Sequence, residues 1–206
     1  MLPLKELQQD MLTELFNLGM GNAASALSEM VSEEVKLSIP KVLFIDKNAL
    51  TKILQEDSGG HISAVSQNFE GMILGQAMLT FPTDRSLELI RLLLQDSVPL
   101  ENLTEFEEEA LTEVGNIIIN AGLSSLADIF ADEITSDLPV FNSGSCEDVI
   151  GNINPTPQEQ QTVLHLQVDF SIEKENIKGY VIYLLDLESI SVLSTHIDNY
   201  IHKLSC

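Results

Sequence analysis

Cations are scarce in this sequence: 10 Lys and Arg stand against 32 Asp and Glu in 206 residues, a formal net charge of −22. The stretch 92–173 carries sixteen acids and neither Lys nor Arg, so the imbalance is concentrated there. Nucleic acid is therefore a poor partner, because phosphate binding begins with cations that displace condensed counterions. Tryptophan is absent. Cysteine is limited to Cys146 and Cys206, with no C-x-x-C pair and no zinc-ligand spacing, which sets aside a disulfide scaffold and a structural zinc site. No apolar run reaches the eighteen or so residues that cross a bilayer, and the N-terminus lacks a basic segment followed by an apolar one. These absences predict a cytoplasmic protein with no membrane insertion and no metal of its own.

What is present is apolar material, 44% of the chain, and an internal repeat. Offsetting the sequence by 99 residues aligns residues 10–40 with 109–139 without a gap. Leu12, Thr13, Glu14, Asn17, Ser25, Leu27, Glu34 and Pro40 recur as Leu111, Thr112, Glu113, Asn116, Ser124, Leu126, Glu133 and Pro139. At roughly 100–200 residues per domain, the expectation is a single domain over 1–206 made of two half-repeats, about 1–99 and 100–206.

Downstream of each repeat the elements follow a common order. After the first long helix, hydrophobic periodicity predicts a strand near Glu34 to Phe44, a helix near Lys47 to Gln55, two strands near His61 to Pro82, and a helix near Asp84 to Gln95. The second half predicts a strand near Ile134 to Phe141, a hairpin from Thr162 to Asp186 turning at Lys174 to Gly179, and a helix from Leu187 to Leu204. Its segment Asn142 to Gln160, with Gly144, Gly151, Pro155 and Pro157, reads as loop, so the middle helix is expected to be lost. The fold class predicted is α/β (α+β): a pseudo-twofold repeat with a mixed or antiparallel central sheet and two long helices carrying the repeated motif on an outer face.

On a helix of about 100° per residue, Asp10, Glu14, Asn17 and Gly21 share one sector, opposite Leu12, Phe16, Ala23, Leu27 and Met30. Glu109, Glu113, Asn116 and Asn120 share the same sector of the second helix, opposite Leu111, Gly115, Gly122, Leu126 and Ile129. An outward Glu or Asn is ordinarily just solvated, and E-x-x-N arises by chance about once in a chain this rich in both. Indeed Glu173 and Asn176 form a third copy in the expected turn. Only the two helical copies have a proline 23 residues after the Asn. The halves agree at eight of 31 aligned positions, so retention of both polar residues on the outer face is hard to ascribe to packing.

This pattern resembles the CheC/CheX/FliY family of bacterial chemotaxis proteins, whose signature is Asp or Ser, three residues, Glu, two residues, Asn, 22 residues, Pro. Asp10, Glu14, Asn17 and Pro40 match it fully. Glu113, Asn116 and Pro139 match in the second copy, with Glu109 where the family has Asp or Ser. Two motifs without appended domains are most like the CheC branch. The resemblance implies hydrolysis of the aspartyl phosphate of a phosphorylated CheY-like response regulator. Asn17 and Asn116 would orient the attacking water, Glu14 and Glu113 would pair with the regulator's Lys, and Asp10 and Glu109 would help hold the regulator. It implies no cofactor in this chain, Mg²⁺ on the regulator, and CheD as a further partner. The alternative is a non-catalytic module of chemotaxis or the flagellar switch that docks phospho-CheY or CheD; the related FliM middle domain shows that such a fold can lack the reaction.

Overall fold

The computed structural model describes residues 4–39, 42–93, 103–151, 162–172 and 175–204. In chain order the elements are α1 (Glu6–Val31), β1 (Val35–Ser38), β2 (Val42–Ile45), α2 (Lys47–Ser58), β3 (His61–Gly71), β4 (Gly75–Pro82) and α3 (Thr83–Leu93). They are followed by α4 (Leu103–Phe130), β5 (Ile134–Ser136), β6 (Val140–Ser145), α5 (Cys146–Gly151), β7 (Thr162–Ile172), β8 (Glu175–Leu185) and α6 (Leu187–Leu204).

One eight-stranded sheet runs β1-β7-β8-β4-β3-β5, with β2 also on β7 and β6 also on β3, and every described pairing is antiparallel. Exchanging the first four strands for the last four reverses this order onto itself, which is the pseudo-twofold symmetry expected from the repeat. Its centre is the β4–β8 pair. Each half lends its first two strands to the third strand of the other half, so the halves are interleaved rather than merely adjoined.

Alternation along the strands divides the core. Leu164, Leu166, Val168 and Phe170 of β7, with Val181, Tyr183 and Leu185 of β8, face the cluster that contains Leu12, Phe16 and Met20 of α1 and Leu111, Ile118 and Leu126 of α4. The intervening Val163, Tyr180, Ile182 and Leu184 face Leu50 and Leu54 of α2 and Cys146 and Ile150 of α5. The long helices bury positions three and four apart and cross where Gly19 lies against the backbone of Ala121, an approach a Cβ would prevent. Met30, placed among the core residues by its angle, is half-exposed because α1 ends one residue later in a left-handed Ser32.

Three expectations about the elements are corrected. The middle helix of the second half is shortened, not lost: Cys146, Val149 and Ile150 supply a buried stripe at helical spacing, enough for the short α5. Residues 152–161 of that segment lie outside the described residues. The hairpin begins to return earlier than expected, since β7 and β8 remain paired to Ile172 and Glu175 and residues 175–179 belong to β8.

The single strand expected near Glu34 to Phe44 is two. Ser38 stands opposite Asp169 and Val42 opposite Leu166, so the register of β2 on β7 is shifted by one residue from that of β1, the mark of a bulge in the ladder. The second half repeats it: residues 137–139 stand against Gln67 and Asn68, between Ser136 opposite Phe69 and Val140 opposite Ser66. Both bulges lie beside the motif-bearing helices.

Candidate functional site

In the first copy, Asp10 and Glu14 are exposed on α1, and neither makes a hydrogen bond or ion pair among the described residues. Asn17 is half-buried and turned toward the bulge. Its Nδ2 donates to the carbonyls of Thr13 and Ile39, both at 3.0 Å, and its Oδ1 accepts from the Ile39 amide at 2.8 Å. The carboxamide thus replaces the partners that Ile39, only 2% exposed, would otherwise find in a regular ladder. That exchange gives a physical reason for a fixed spacing between this Asn and the end of the first strand. Pro40 itself lies outside the described residues.

The second copy is built differently. Glu109 and Glu113 are exposed on α4, again without a hydrogen bond or ion pair among the described residues. The half-buried Asn116 uses its Oδ1 twice, accepting from Gln67 Nε2 at 3.2 Å and from Asn120 Nδ2 at 2.8 Å. Asn120 Oδ1 in turn accepts from Ser136 Oγ at 2.6 Å. Asn116 Nδ2 has no partner among the described residues. Leu138, at the position equivalent to Ile39, is 86% exposed instead of buried, and no bond joins it to Asn116. One copy therefore has its amide consumed by backbone, and the other presents an unengaged N–H donor beside an exposed carboxylate.

Sequence periodicity found the two Glu–Asn pairs and the helices that carry them. It placed both asparagines among outward-facing residues, whereas both are half-buried, because each reaches a bulge beneath its helix. It did not find Gln67 or Ile39; inward alternation along β3, with Gln67 two residues after the buried Val65, was the available signal for the first.

Comparison with known proteins finds similarity over the segment that holds the first copy. The profile of the CheC-like family matches residues 7–43, the segment that holds Glu14 and Asn17. The chain is 28% identical over 144 residues to the CheY-P phosphatase CheC of Bacillus subtilis (strain 168), a match spanning 66% of each chain, just under two thirds of that relative's length. Residues 7–43 are thus similar to the CheC-like family. In fold it is similar to Thermotoga maritima FliY, with a TM-score of 0.76 and 20% identity over 96% of this chain and 98% of that one. It is also similar in fold to a chain of the CheX–CheY–BeF3–Mg²⁺ complex from Borrelia burgdorferi, with a TM-score of 0.51 and 20% identity over 82% of this chain and 96% of that one.

Elsewhere the described residues offer little competing chemistry. Among the described residues no group of His, Cys, Asp and Glu could hold a metal ion, and no helix is long and apolar enough to cross a membrane. A cleft of about 340 Å³ lined by Asp57, Arg85, Lys178 and Tyr180 includes neither Glu–Asn pair. His165 is buried beside it, stacked on Tyr180 with ring centroids 5.1 Å apart and with neither ring nitrogen hydrogen-bonded among the described residues. Burial outweighs the nearby Asp57 carboxylate and lowers its pKa from 6.5 to about 4, so the ring is neutral at pH 7. The histidine is a packed ring, without the satisfied hydrogen bonding that a buried histidine ordinarily has.

Proposed function

We propose that this chain hydrolyses the aspartyl phosphate of a phosphorylated CheY-like response regulator. The observation that carries this reading is the recurrence, on both long helices, of an exposed glutamate one turn from an asparagine whose carboxamide is held by hydrogen bonds. Among the described residues neither glutamate pairs with a cation that could receive a free phosphate, and the surface around it belongs to a chain of net charge −22. It suits a phosphoryl group that arrives already neutralised on another protein. Similarity to a CheY-P phosphatase, and to a fold solved in complex with CheY, supports the same partner.

In this reading the regulator brings the phosphoryl group, its Lys and a Mg²⁺ ion that offsets charge on the phosphoryl oxygens. Glu113, and Glu14 in the first copy, pairs with that Lys and fixes register. Asn116 Nδ2 donates to the oxygen of a water and holds it in line with phosphorus. The water oxygen bonds to phosphorus as the bond from phosphorus to the aspartyl oxygen breaks. The aspartate leaves as carboxylate with the electron pair, and the water's protons go to phosphate and solvent. An amide takes no proton at neutral pH, so its contribution is orientation, one part of the roughly 7–11 kcal/mol available from full positioning. In the first copy Asn17 must first release Ile39.

The test is the decay of Bacillus subtilis CheY phosphorylated with acetyl phosphate in Mg²⁺. Added protein is expected to shorten the lifetime in proportion to its concentration, with release of inorganic phosphate. Binding without any change in lifetime would instead support the non-catalytic docking module.

A further inference from the structure

We propose that Gln67 is the positioning residue of the second site, aiming the Asn116 amide outward, and that the two copies of the motif are unequal because the first copy has no counterpart to it. The proposal rests on the phosphatase reading for its consequence but not for its geometry.

The orientation is fixed by a backbone carbonyl. Gln67 is only 2% exposed, and its Nε2 donates to the Asp137 carbonyl at 3.0 Å as well as to Asn116 Oδ1. A carbonyl oxygen can only accept, so the nitrogen of Gln67 must face Asp137. The same nitrogen then faces Asn116, which must answer with its oxygen. Asn120 presents its own Nδ2 to that oxygen, with Ser136 donating to its far side. Turning the Asn116 amide over would set its N–H group against that of Gln67, which the Asp137 carbonyl holds in place. The free end of Asn116 is thereby fixed as a donor. Holding Gln67 this way leaves its Oε1 buried and unpartnered among the described residues, an arrangement that packing alone would not favour.

The first copy cannot build this network. Phe69 stands opposite Ser136 as Phe170 stands opposite Leu37, so the strand position of Gln67 is taken by Val168, and those of Ser136 and Asn120 by Leu37 and Gly21. With no side-chain donor beneath it, Asn17 turns to the Ile39 backbone.

Two measurements decide the matter. In the wild-type chain, side-chain amide exchange read by NMR is expected to find the Gln67 and Asn17 NH₂ groups protected and that of Asn116 exchanging freely; protection of Asn116 would overturn the proposal whether or not the chain is a phosphatase. In turnover of phosphorylated Bacillus subtilis CheY, Gln67→Leu in an Asn17→Ala background is expected to lower the saturated rate on the order of ten- to a hundredfold. KM should move less than about twofold, since docking contacts are untouched. In an Asn116→Ala background the same substitution should add less than about twofold. Equal losses in both backgrounds, or none in the first, would reduce Gln67 to a packing residue. If the wild-type chain leaves the CheY lifetime unchanged, the phosphatase reading falls and the exchange data alone judge Gln67.

Discussion

Asn17 and Asn116 share a motif but not a job. Asn17 satisfies both backbone groups of a buried residue, so Asn17→Ala leaves the Ile39 N–H and C=O without partners and is expected to cost about 1–3 kcal/mol of stability. Asn116→Ala is expected to cost less than about 1 kcal/mol, because Gln67 keeps the Asp137 carbonyl and the half-buried Asn120 can turn to water. Urea denaturation of the two variants checks this; equal losses would contradict the asymmetry. His165 gives a second prediction at this scale. Its folded pKa is depressed to about 4, so between there and 6.5 the unfolded chain binds the proton and the folded chain does not. Stability should therefore fall as pH drops from about 6.5 toward 4, by up to about 3 kcal/mol from this ring. A His165→Phe variant should show a flatter profile over that window, and a parallel one would mean that the ring is not buried neutral. The sequence made Glu14, Asn17, Glu113 and Asn116 legible through spacing alone. It could not reveal their hydrogen bonds, because Ile39 and Gln67 lie 22 and 49 residues away and meet them only after the strands have paired.

At the scale of elements, the two long helices and the repeat were readable because apolar residues three and four apart recur along both α1 and α4. Bulges were not, because a one-residue shift of register depends on the partner strand, and the polar composition of residues 142–160 concealed the short buried stripe of α5. Glycine in these helices offers a contrast between packing and propensity. A Cβ at Gly19 would stand 2.6 Å from the Ala121 carbonyl oxygen, backbone that cannot swing aside, whereas a Cβ at Gly21 meets nothing within 4 Å. Gly19→Ala is expected to destabilise by about 1–3 kcal/mol through separation of the long helices. Gly21→Ala should stabilise by roughly 0.5–1 kcal/mol through helix propensity. Thermal midpoints of the two variants should move in opposite directions; a common direction would place the helix contact elsewhere.

For the molecule as a whole, charge and symmetry set the terms. A net charge of −22 repels itself in the compact state. The thermal midpoint should accordingly rise between about 0.01 M and 1 M NaCl, as the screening length falls from about 30 Å to about 3 Å. A falling midpoint would mean that local ion pairs, not self-repulsion, dominate. The same field favours a partner whose docking face is basic and disfavours free phosphate. The interleaved sheet carries two copies of one helix–bulge unit in pseudo-twofold relation, and among the described residues the amide donor is unengaged in the second copy and bonded in the first. The account stands on those paired amides finishing a reaction centre supplied by another protein. Its most direct test is the single-turnover decay of phosphorylated CheY saturated with the Asn17→Ala, Asn116→Ala double variant, with affinity measured alongside. The account predicts that binding persists while the decay constant returns to that of CheY alone; an accelerated decay equal to wild type would contradict it.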